Sequence, residues 1–317
     1  RTGGPEVNQW VAVDVGAPGR GMARIRHTAI GVNFVDIYYR RGFYKAPGGL
    51  PFIPGAEAAG VVEAVGQGVS DLKEGDRVVY QGSIGGYSEV RLIPADKLVR
   101  LPDRVSDKVA AAVFLKGLTV QCLLRRTFKV MKGQTIVWHA AAGGVGSIAT
   151  QWAKALGVTV IGTVGSDDKI AAAKAGGADH VINYRKEDWV AKVKDLTGGE
   201  GVDVVYDSVG KDTFPGSLDC LKPLGLWASF GQSSGLPPEF TAAMLQQKGS
   251  LFATRPALAV YLAKRADLEH AAHELFDALR AGVVKVAASS EMPLREAGEA
   301  QRRIETRETS GTTILLP

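Results

Sequence analysis

The sequence predicts an α/β protein in which a doubly wound parallel sheet is joined to a smaller β-rich domain. Three observations lead to this prediction. Between about residues 135 and 254, apolar runs alternate with helical segments, as in a parallel sheet covered by helices on both faces. Before about residue 105, short alternating runs end at Gly and Pro turns, as in a small barrel-like β domain. A glycine turn at 143–146 lies between the first apolar run and its helix.

The β-rich domain has the more irregular pattern. Strands are predicted at 23–30, 59–65, 77–80 and 87–92, because apolar and polar residues alternate there and turn residues follow. The segment 33–41 is the exception and is predicted as a short helix with Asp36 near its start. Two late segments, 283–286 and 312–316, also read as strands and are expected to return to this domain. We therefore assign 1–113 and 284–317 to the first domain and 114–283 to the second.

The second domain is predicted from the alternation of strands and helices. A helix is expected over 107–126 in two pieces around Gly117, and a long helical region over 258–281. The strands of the parallel sheet are predicted at 135–138, 158–164, 180–183, 202–207, 225–230 and 250–253.

The composition restricts the class of protein. Of the 317 residues 45% are hydrophobic and 22% are charged, values typical of a soluble globular protein. No run of 18 apolar residues is present, so we expect no membrane-spanning helix. Two cysteines make no disulfide framework and suit a reducing cytoplasm. The formal charge of +5 is spread along the chain, which argues against nucleic acid as a partner and favours a small anionic ligand.

The glycine turn is the strongest candidate for a ligand site. A strand, a turn of small residues and a helix start leave backbone N–H groups free at the positive end of a helix dipole, where a pyrophosphate binds. A side chain at Gly143 or Gly146 is expected to block that approach. A glycine turn can also serve packing alone, but its place at the first strand of an alternating sheet favours dinucleotide binding.

The second strand of the sheet indicates which dinucleotide is bound. A site for NAD usually places Asp or Glu at the end of this strand. Here the strand ends in Gly165 and Ser166, and Lys169 follows within one turn. A hydroxyl and a cation suit a 2′-phosphate, so we expect NADPH rather than NADH; the alternative is that Lys169 is an ordinary surface lysine. Asp167 and Asp168 are interpreted as the solvent-facing first turn of the next helix.

The segments 31–36, 55–60, 114–119, 140–146, 207–210 and 229–235 resemble those of the medium-chain dehydrogenase/reductase superfamily. Within it, the chain is most similar to the zinc-free quinone oxidoreductases, the group that includes zeta-crystallin. The resemblance covers essentially the whole chain. It implies a Rossmann dinucleotide-binding domain, a GroES-like β-barrel domain and an active site in the cleft between them.

Two positions depart from the zinc alcohol dehydrogenases of the same superfamily. Asn33 stands where those enzymes have a metal-binding Cys, and Ala56 where they have a metal-binding His. Neither residue can replace a thiolate or an imidazole on zinc. His270 and His273 are three residues apart on a predicted helix, and we interpret them as surface residues. The sequence therefore predicts a metal-free protein.

The resemblance also implies roles for individual residues. Asn33, Tyr38 and Tyr44 are expected in the substrate cleft, with Tyr38 as hydrogen-bond donor to an oxyanion or as proton source, and with Asp36 as a structural partner rather than a base. Gln232 stands where close bacterial relatives are expected to have Asn. The resemblance implies NADPH as the cofactor, and the residues expected to contact it are Lys116, Thr119, Gly143, Gly144, Val145, Gly146, Ser166, Lys169, Tyr184, Phe230, Gln232, Ser233 and Arg307.

Several functions agree with these residues. A quinone accepts a hydride without a Lewis acid, so NADPH-dependent quinone reduction is the first hypothesis. Reduction of an enone or alkenal is the second, and the motifs do not separate the two. RNA binding or a crystallin-like structural role is an alternative of a different class, although no aromatic-basic nucleic-acid motif is present. We also expect a homodimer, because the sixth strand would leave an exposed sheet edge that relatives pair across a two-fold axis.

Overall fold

A computed structural model describes residues 1–286 and 288–317 of the chain. It contains two compact units. Unit 1 comprises Arg1–Lys116, Lys264–Arg280 and Val286–Pro317, and unit 2 comprises Gly117–Ala263 and Ala281–Lys285. The division predicted from the sequence assigned 264–280 to the second domain, whereas here these residues group with unit 1.

The strands of the described chain are β1 (Met22–Gly31), β2 (Glu57–Val65), β3 (Arg77–Gln81), β4 (Val90–Pro94), β5 (Val99–Arg100), β6 (Thr135–Trp138), β7 (Thr159–Val164), β8 (His180–Asn183), β9 (Val202–Asp207), β10 (Leu221–Ser229), β11 (Phe252–Thr254), β12 (Ala288–Pro293) and β13 (Thr312–Leu316). The α-helices are α1 (Phe34–Arg40), α2 (Asp107–Cys122), α3 (Gly144–Ala155), α4 (Ile170–Ala175), α5 (Trp189–Leu196), α6 (Gly216–Asp219), α7 (Ala242–Gln247), α8 (Leu258–Tyr261), α9 (Arg265–Arg280) and α10 (Ala297–Glu305).

Unit 1 is built on a largely antiparallel sheet. Its strand order is β12-β13-β1-β2-β3-β5, and β4 pairs with the first half of β1. Apolar side chains of these strands, among them Ile25, Val78 and Ile93, form one buried cluster on which α10 packs through Ala300. The predicted β-rich domain is confirmed; among the described residues the two end strands, β12 and β5, do not pair, so the sheet is open.

Unit 2 is built on a fully parallel sheet with the order β11-β10-β9-β6-β7-β8. The chain runs outward from β6 in one direction through β7 and β8, and then in the other through β9, β10 and β11. This is the Rossmann order, and it confirms the predicted doubly wound sheet. Ligands bind such sheets where the direction reverses, at the carboxyl ends of the first strands on either side. Here that place lies beyond Trp138 of β6 and Asp207 of β9.

Three local predictions were wrong. No strand forms at 283–286. The N–H of Lys285 donates to Gln151 Oε1 and its carbonyl accepts from Gln151 Nε2, so a side chain takes the place of a partner strand. Helix α2 continues through Gly117, because the buried residues on either side of the glycine hold it in the helix. A π-helical turn, Leu123–Thr127, follows the end of α2. The predicted helix 258–281 is two helices, α8 and α9, separated at 262–264.

No helix among the described residues combines the length and the apolar character needed to cross a membrane.

Candidate active site

The glycine turn after β6 leaves three backbone donors free at the start of α3. Gly143 is the extended residue before the helix, and Ser147 N–H makes the first helical hydrogen bond, to Gly143 O at 2.8 Å. The N–H groups of Gly144, Val145 and Gly146 donate to no acceptor among the described residues. Unpaired donors at a helix N-terminus are what a pyrophosphate requires, so the turn fits a dinucleotide.

The two outer glycines of the turn are needed for different reasons. A Cβ atom at Gly146 would lie 2.8 Å from Cα of Ala141, closer than backbone packing allows. A Cβ atom at Gly143 would lie 3.1 Å from Ala140 O, a tight but tolerable contact. At Gly146, close packing of the helix on the preceding turn already excludes a side chain, and the expectation that both glycines leave space for a ligand stays a prediction.

The residues predicted for the 2′-phosphate come from the ends of two adjacent strands. Val164 and Asn183 are paired at the carboxyl ends of β7 and β8. Ser166 and Lys169 follow β7, and Tyr184 follows β8. The Tyr184 hydroxyl lies close to Gly165, since a Cβ atom added to that glycine would be 3.3 Å from it. Ser166, Lys169 and Tyr184 therefore follow two strand ends that are paired with each other.

Asp167 beside this corner is solvent-exposed but paired. Its carboxylate accepts hydrogen bonds from Asn183 Nδ2 at 2.5 Å and from Lys186 Nζ at 2.6 Å. The hydrogen bond from Lys186 is the main cause of the lowered pKa of Asp167. The prediction that Asp167 points to solvent is correct, and its pairing with Lys186 was not foreseen.

The loop after β10 is fixed by an arginine that the sequence interpretation missed. Arg255 donates to Gln232 Oε1 at 2.9 Å, to Gly231 O at 3.0 Å and to Ser229 Oγ at 3.3 Å. Ser233 N–H also binds Ser208 O at 3.1 Å, which ties this loop to the turn after β9. Gln232 is therefore held by its side-chain oxygen, and the predicted residues 230, 232 and 233 lie in one ordered loop.

The turn after β9 is organised by a buried carboxylate. Asp207 accepts hydrogen bonds from the N–H groups of Val209 and Gly210, from the hydroxyls of Thr213 and Ser217, and from Trp227 Nε1. These bonds fix the turn at the point where the strand order reverses.

In unit 1, a fully buried carboxylate joins two of the predicted site residues. Glu57 Oε2 accepts from Asn33 Nδ2 at 2.8 Å and from Lys116 Nζ at 3.1 Å, and Oε1 accepts from Leu115 N–H at 2.6 Å. Glu57 has 0% of its surface exposed, Asn33 and Lys116 5% each. Gly31 must lack a side chain here, since a Cβ would lie 2.8 Å from the Glu57 carboxyl carbon. A glutamate between Ala56 and Ala58 in an apolar strand was the sequence signal for this buried site.

Asp36 forms a second buried carboxyl group next to this one. Its Oδ2 accepts from Asn33 N–H at 2.9 Å, which caps α1, and from the Tyr87 hydroxyl at 3.0 Å. Its Oδ1 is buried and has no hydrogen-bond partner among the described residues. Burial raises the pKa of Asp36 to about 7. These contacts agree with the predicted structural role, and the side chain is enclosed.

The predicted substrate tyrosines lie together. The rings of Tyr38 and Tyr44 are 5.3 Å apart in an edge-to-face arrangement, and Phe34 and Phe43 pack on Tyr38 at 5.5 and 6.3 Å. Tyr38 is 8% exposed and Tyr44 38%. Tyr39 packs its ring against Tyr44 and Phe52.

The two remaining predicted cofactor residues lie on or directly after helices. Thr119 lies on α2 one turn after Lys116, at the start of unit 2. Arg307 follows α10 in unit 1 with a left-handed backbone, φ 64°. Their assignments remain predictions.

Within the described ranges, no group of three or more His, Cys, Asp or Glu side chains is arranged to hold a metal ion. Asn33 and Ala56 are both buried, and the amide of Asn33 is occupied by Glu57.

Comparison with known proteins supports both halves of this arrangement. Residues 19–103 match a family model described as the alcohol dehydrogenase GroES-like domain, and residues 144–277 match one described as zinc-binding dehydrogenase. Quinone oxidoreductase 1 of Escherichia coli K12 is 49% identical over 99% of this chain and 97% of its own length. A 2-haloacrylate reductase of a Burkholderia species is 46% identical over 100% of this chain and 97% of its own length.

Solved structures agree with the sequence relatives. The crystal structure of E. coli quinone oxidoreductase complexed with NADPH superposes with a TM-score of 0.97 at 49% identity, covering 100% of this chain and 98% of that one. The quinone oxidoreductase of Pseudomonas syringae superposes with a TM-score of 0.97 at 50% identity and the same coverage.

Proposed function

The chain belongs to the quinone oxidoreductases of the medium-chain dehydrogenase/reductase superfamily, and on that basis we propose that it reduces quinones with NADPH. The observation that carries the proposal is the set of three unpaired N–H groups of Gly144, Val145 and Gly146, which fits the pyrophosphate of a dinucleotide. Ser166, Lys169 and Tyr184, at the neighbouring strand ends, supply the hydroxyl and cation that suit a 2′-phosphate.

The reaction needs one hydride and one proton to convert a quinone into a hydroquinone. NADPH supplies the hydride when it is bound. The chain must hold the quinone in place and stabilise negative charge on its oxygen, which hydrogen-bond donors do well in a dry site. The aromatic group around Tyr38 provides flat apolar walls for a ring, and the phenol of Tyr38 is our candidate for the donor that stabilises the oxygen or delivers the proton.

We further propose that Lys116, Thr119, Phe230, Gln232, Ser233 and Arg307 contact the cofactor, and that Asn33, Tyr38 and Tyr44 contact the substrate. Unit 1 would form the substrate domain, and unit 2 the cofactor domain.

A homodimer and a cytoplasmic location complete the proposal. The outer strand β11 exposes Phe252 by 60%, which would suit pairing of this edge with a second copy of the chain. Cys122 and Cys220 are both buried and are not joined in a disulfide, as suits a reducing compartment.

The experiment compares the wild-type protein with Lys169→Ala. NADPH and NADH affinities are measured by fluorescence titration, and turnover is followed with 1,4-benzoquinone. Removing the cation should weaken NADPH by about tenfold or more and leave NADH nearly unchanged, since only NADPH carries the 2′-phosphate. Lys174→Ala, on the following helix, is the matched control. An unchanged NADPH-to-NADH ratio would reject the phosphate assignment, and 2-chloroacrylate turnover exceeding that of benzoquinone would reject the quinone as preferred acceptor.

A further inference from the structure

The amide of Asn33 has only one orientation that its surroundings accept. Nδ2 lies 2.8 Å from Glu57 Oε2 and 3.4 Å from Gly31 O, and both of these atoms are hydrogen-bond acceptors. A flipped amide would put Oδ1 against a carboxylate oxygen and a carbonyl oxygen, which repel it. Both amide hydrogens are therefore used inside the protein. The oxygen Oδ1 faces the Asp36 N–H in the capping box of α1, and an amide oxygen has two lone pairs, so the second lone pair of Oδ1 is what Asn33 can offer to a ligand.

Lys116 is fixed by the same carboxylate and offers the opposite chemistry. Its Nζ donates one hydrogen bond to Glu57 Oε2, the atom that also holds Asn33. An ammonium group has three donor hydrogens and no acceptor. Glu57 Oε2 thus fixes the amide of Asn33 and the ammonium group of Lys116 at one atom, and both side chains are nearly buried.

We propose that Glu57 is a positioning residue, which orients Asn33 and Lys116 as a pair that binds one hydroxyl group of a ligand. The hydroxyl accepts a hydrogen bond from Lys116 and donates one to Asn33. A quinone carbonyl can only accept, so it can bind Lys116 but gains nothing from Asn33. Two ligands of the proposed reaction carry such a hydroxyl: a ribose of the dinucleotide and the hydroquinone product. Naming these two ligands rests on the proposed function.

The variant Glu57→Gln tests the positioning. Glutamine has one oxygen and one NH₂ group where Glu57 has two acceptors. If the glutamine oxygen accepts from Leu115 N–H, the glutamine NH₂ group faces Asn33. The Asn33 amide must then flip, so that it presents a donor to the ligand instead of an acceptor. Binding of the hydroxyl ligand should weaken by about fivefold to tenfold, the effect of one lost hydrogen bond with a repulsive replacement.

The double variant Glu57→Gln/Asn33→Asp should restore binding. Asp at position 33 accepts from the new NH₂ group with one oxygen, presents the other to the ligand, and returns a negative charge to Lys116. A residue that only filled space would not show this rescue. Glu63→Gln is the matched control on the same strand, since Glu63 pairs with Arg24 and Arg26 at the surface.

Three binding measurements identify the source of the hydroxyl without requiring turnover. They are the affinity for NADPH, the affinity for 2′,5′-ADP, which lacks the nicotinamide ribose, and inhibition by hydroquinone compared with 1,4-dimethoxybenzene, which has no O–H. If Glu57→Gln lowers the affinity for NADPH and leaves the affinity for 2′,5′-ADP unchanged, the hydroxyl belongs to the nicotinamide ribose. Weaker hydroquinone inhibition with unchanged NADPH indicates the quinol.

The proposal is overturned if folded Glu57→Gln binds all of these ligands like the wild type, or if the double variant shows no rescue. If Glu57→Gln does not fold, Lys116→Met removes the donor alone and must weaken the same ligand. Wild-type turnover of 1,4-benzoquinone is measured separately, so absence of quinone reduction is distinguished from absence of hydroxyl recognition.

Discussion

Replacing Asp36 by Asn should remove a large pH dependence from the stability of this protein. Asp36 is fully buried, and its pKa is raised to about 7 from 3.8, chiefly by loss of hydration. Between these pH values the folded chain holds a proton that the unfolded chain has released. The free energy of unfolding therefore falls as the pH rises from about 4 to about 7, and stays lower above that.

The magnitude follows from the size of the shift. Three pKa units correspond to about 4 kcal/mol of stability lost by the wild type across this range. Asparagine does not ionise, and its oxygen can accept the bonds from Asn33 N–H and Tyr87. Its NH₂ group replaces the unpartnered Oδ1, which adds a pH-independent cost of about 1–3 kcal/mol.

The assay is urea unfolding of both proteins at closely spaced pH values from 4 to 8.5. Buried His27, whose pKa is lowered to about 4, titrates in the same range with the opposite effect, but it cancels in the difference between the two proteins. That difference should move in favour of Asp36→Asn by about 4 kcal/mol as the pH rises. In a Tyr87→Phe background the change should occur at higher pH, because the Tyr87 hydroxyl lowers the pKa of Asp36. A difference that stays constant from pH 4 to 8.5 would refute the reasoning.

Two further predictions concern the nucleotide side. Gly146→Ala forces Cβ to within 2.8 Å of the Ala141 backbone, so it should lower the free energy of unfolding by about 2 kcal/mol and weaken NADPH binding. Gly143→Ala is the control and should change the free energy of unfolding by less than about 1 kcal/mol. Thermal melting and NADPH titration are measured for both variants. Equal effects would contradict the packing account. Arg255→Ala should lower the affinity for NADPH by about tenfold with little change in melting temperature, because it releases the loop that carries Gln232. Arg255→Lys keeps the charge but cannot form the forked contact, so its affinity should lie between those of the wild type and Arg255→Ala in the same titration.

Much of the fold was predictable because its signals are local. The parallel strands are short apolar runs bounded by Gly, and their positions agree with β6 to β11. The glycine turn was recognised for the same reason. The errors occurred where a distant side chain decides the backbone, as at 283–286, where Gln151 takes the place of a strand partner. The break between α8 and α9 has no Gly or Pro to mark it.

The sequence by itself determined the sheet, the dinucleotide turn, and the absence of a thiolate and an imidazole at Asn33 and Ala56, because these depend on residue type and on neighbours along the chain. Its resemblance to a known family assigned Asn33 to the substrate cleft and Lys116 to the cofactor, but it did not say which hydrogen bonds either side chain could form. Only the tertiary structure brings both to one oxygen of Glu57, from three separate elements of unit 1. A hydrogen bond depends on which atoms meet in space, so the direction in which Asn33 can bond was decided by the fold.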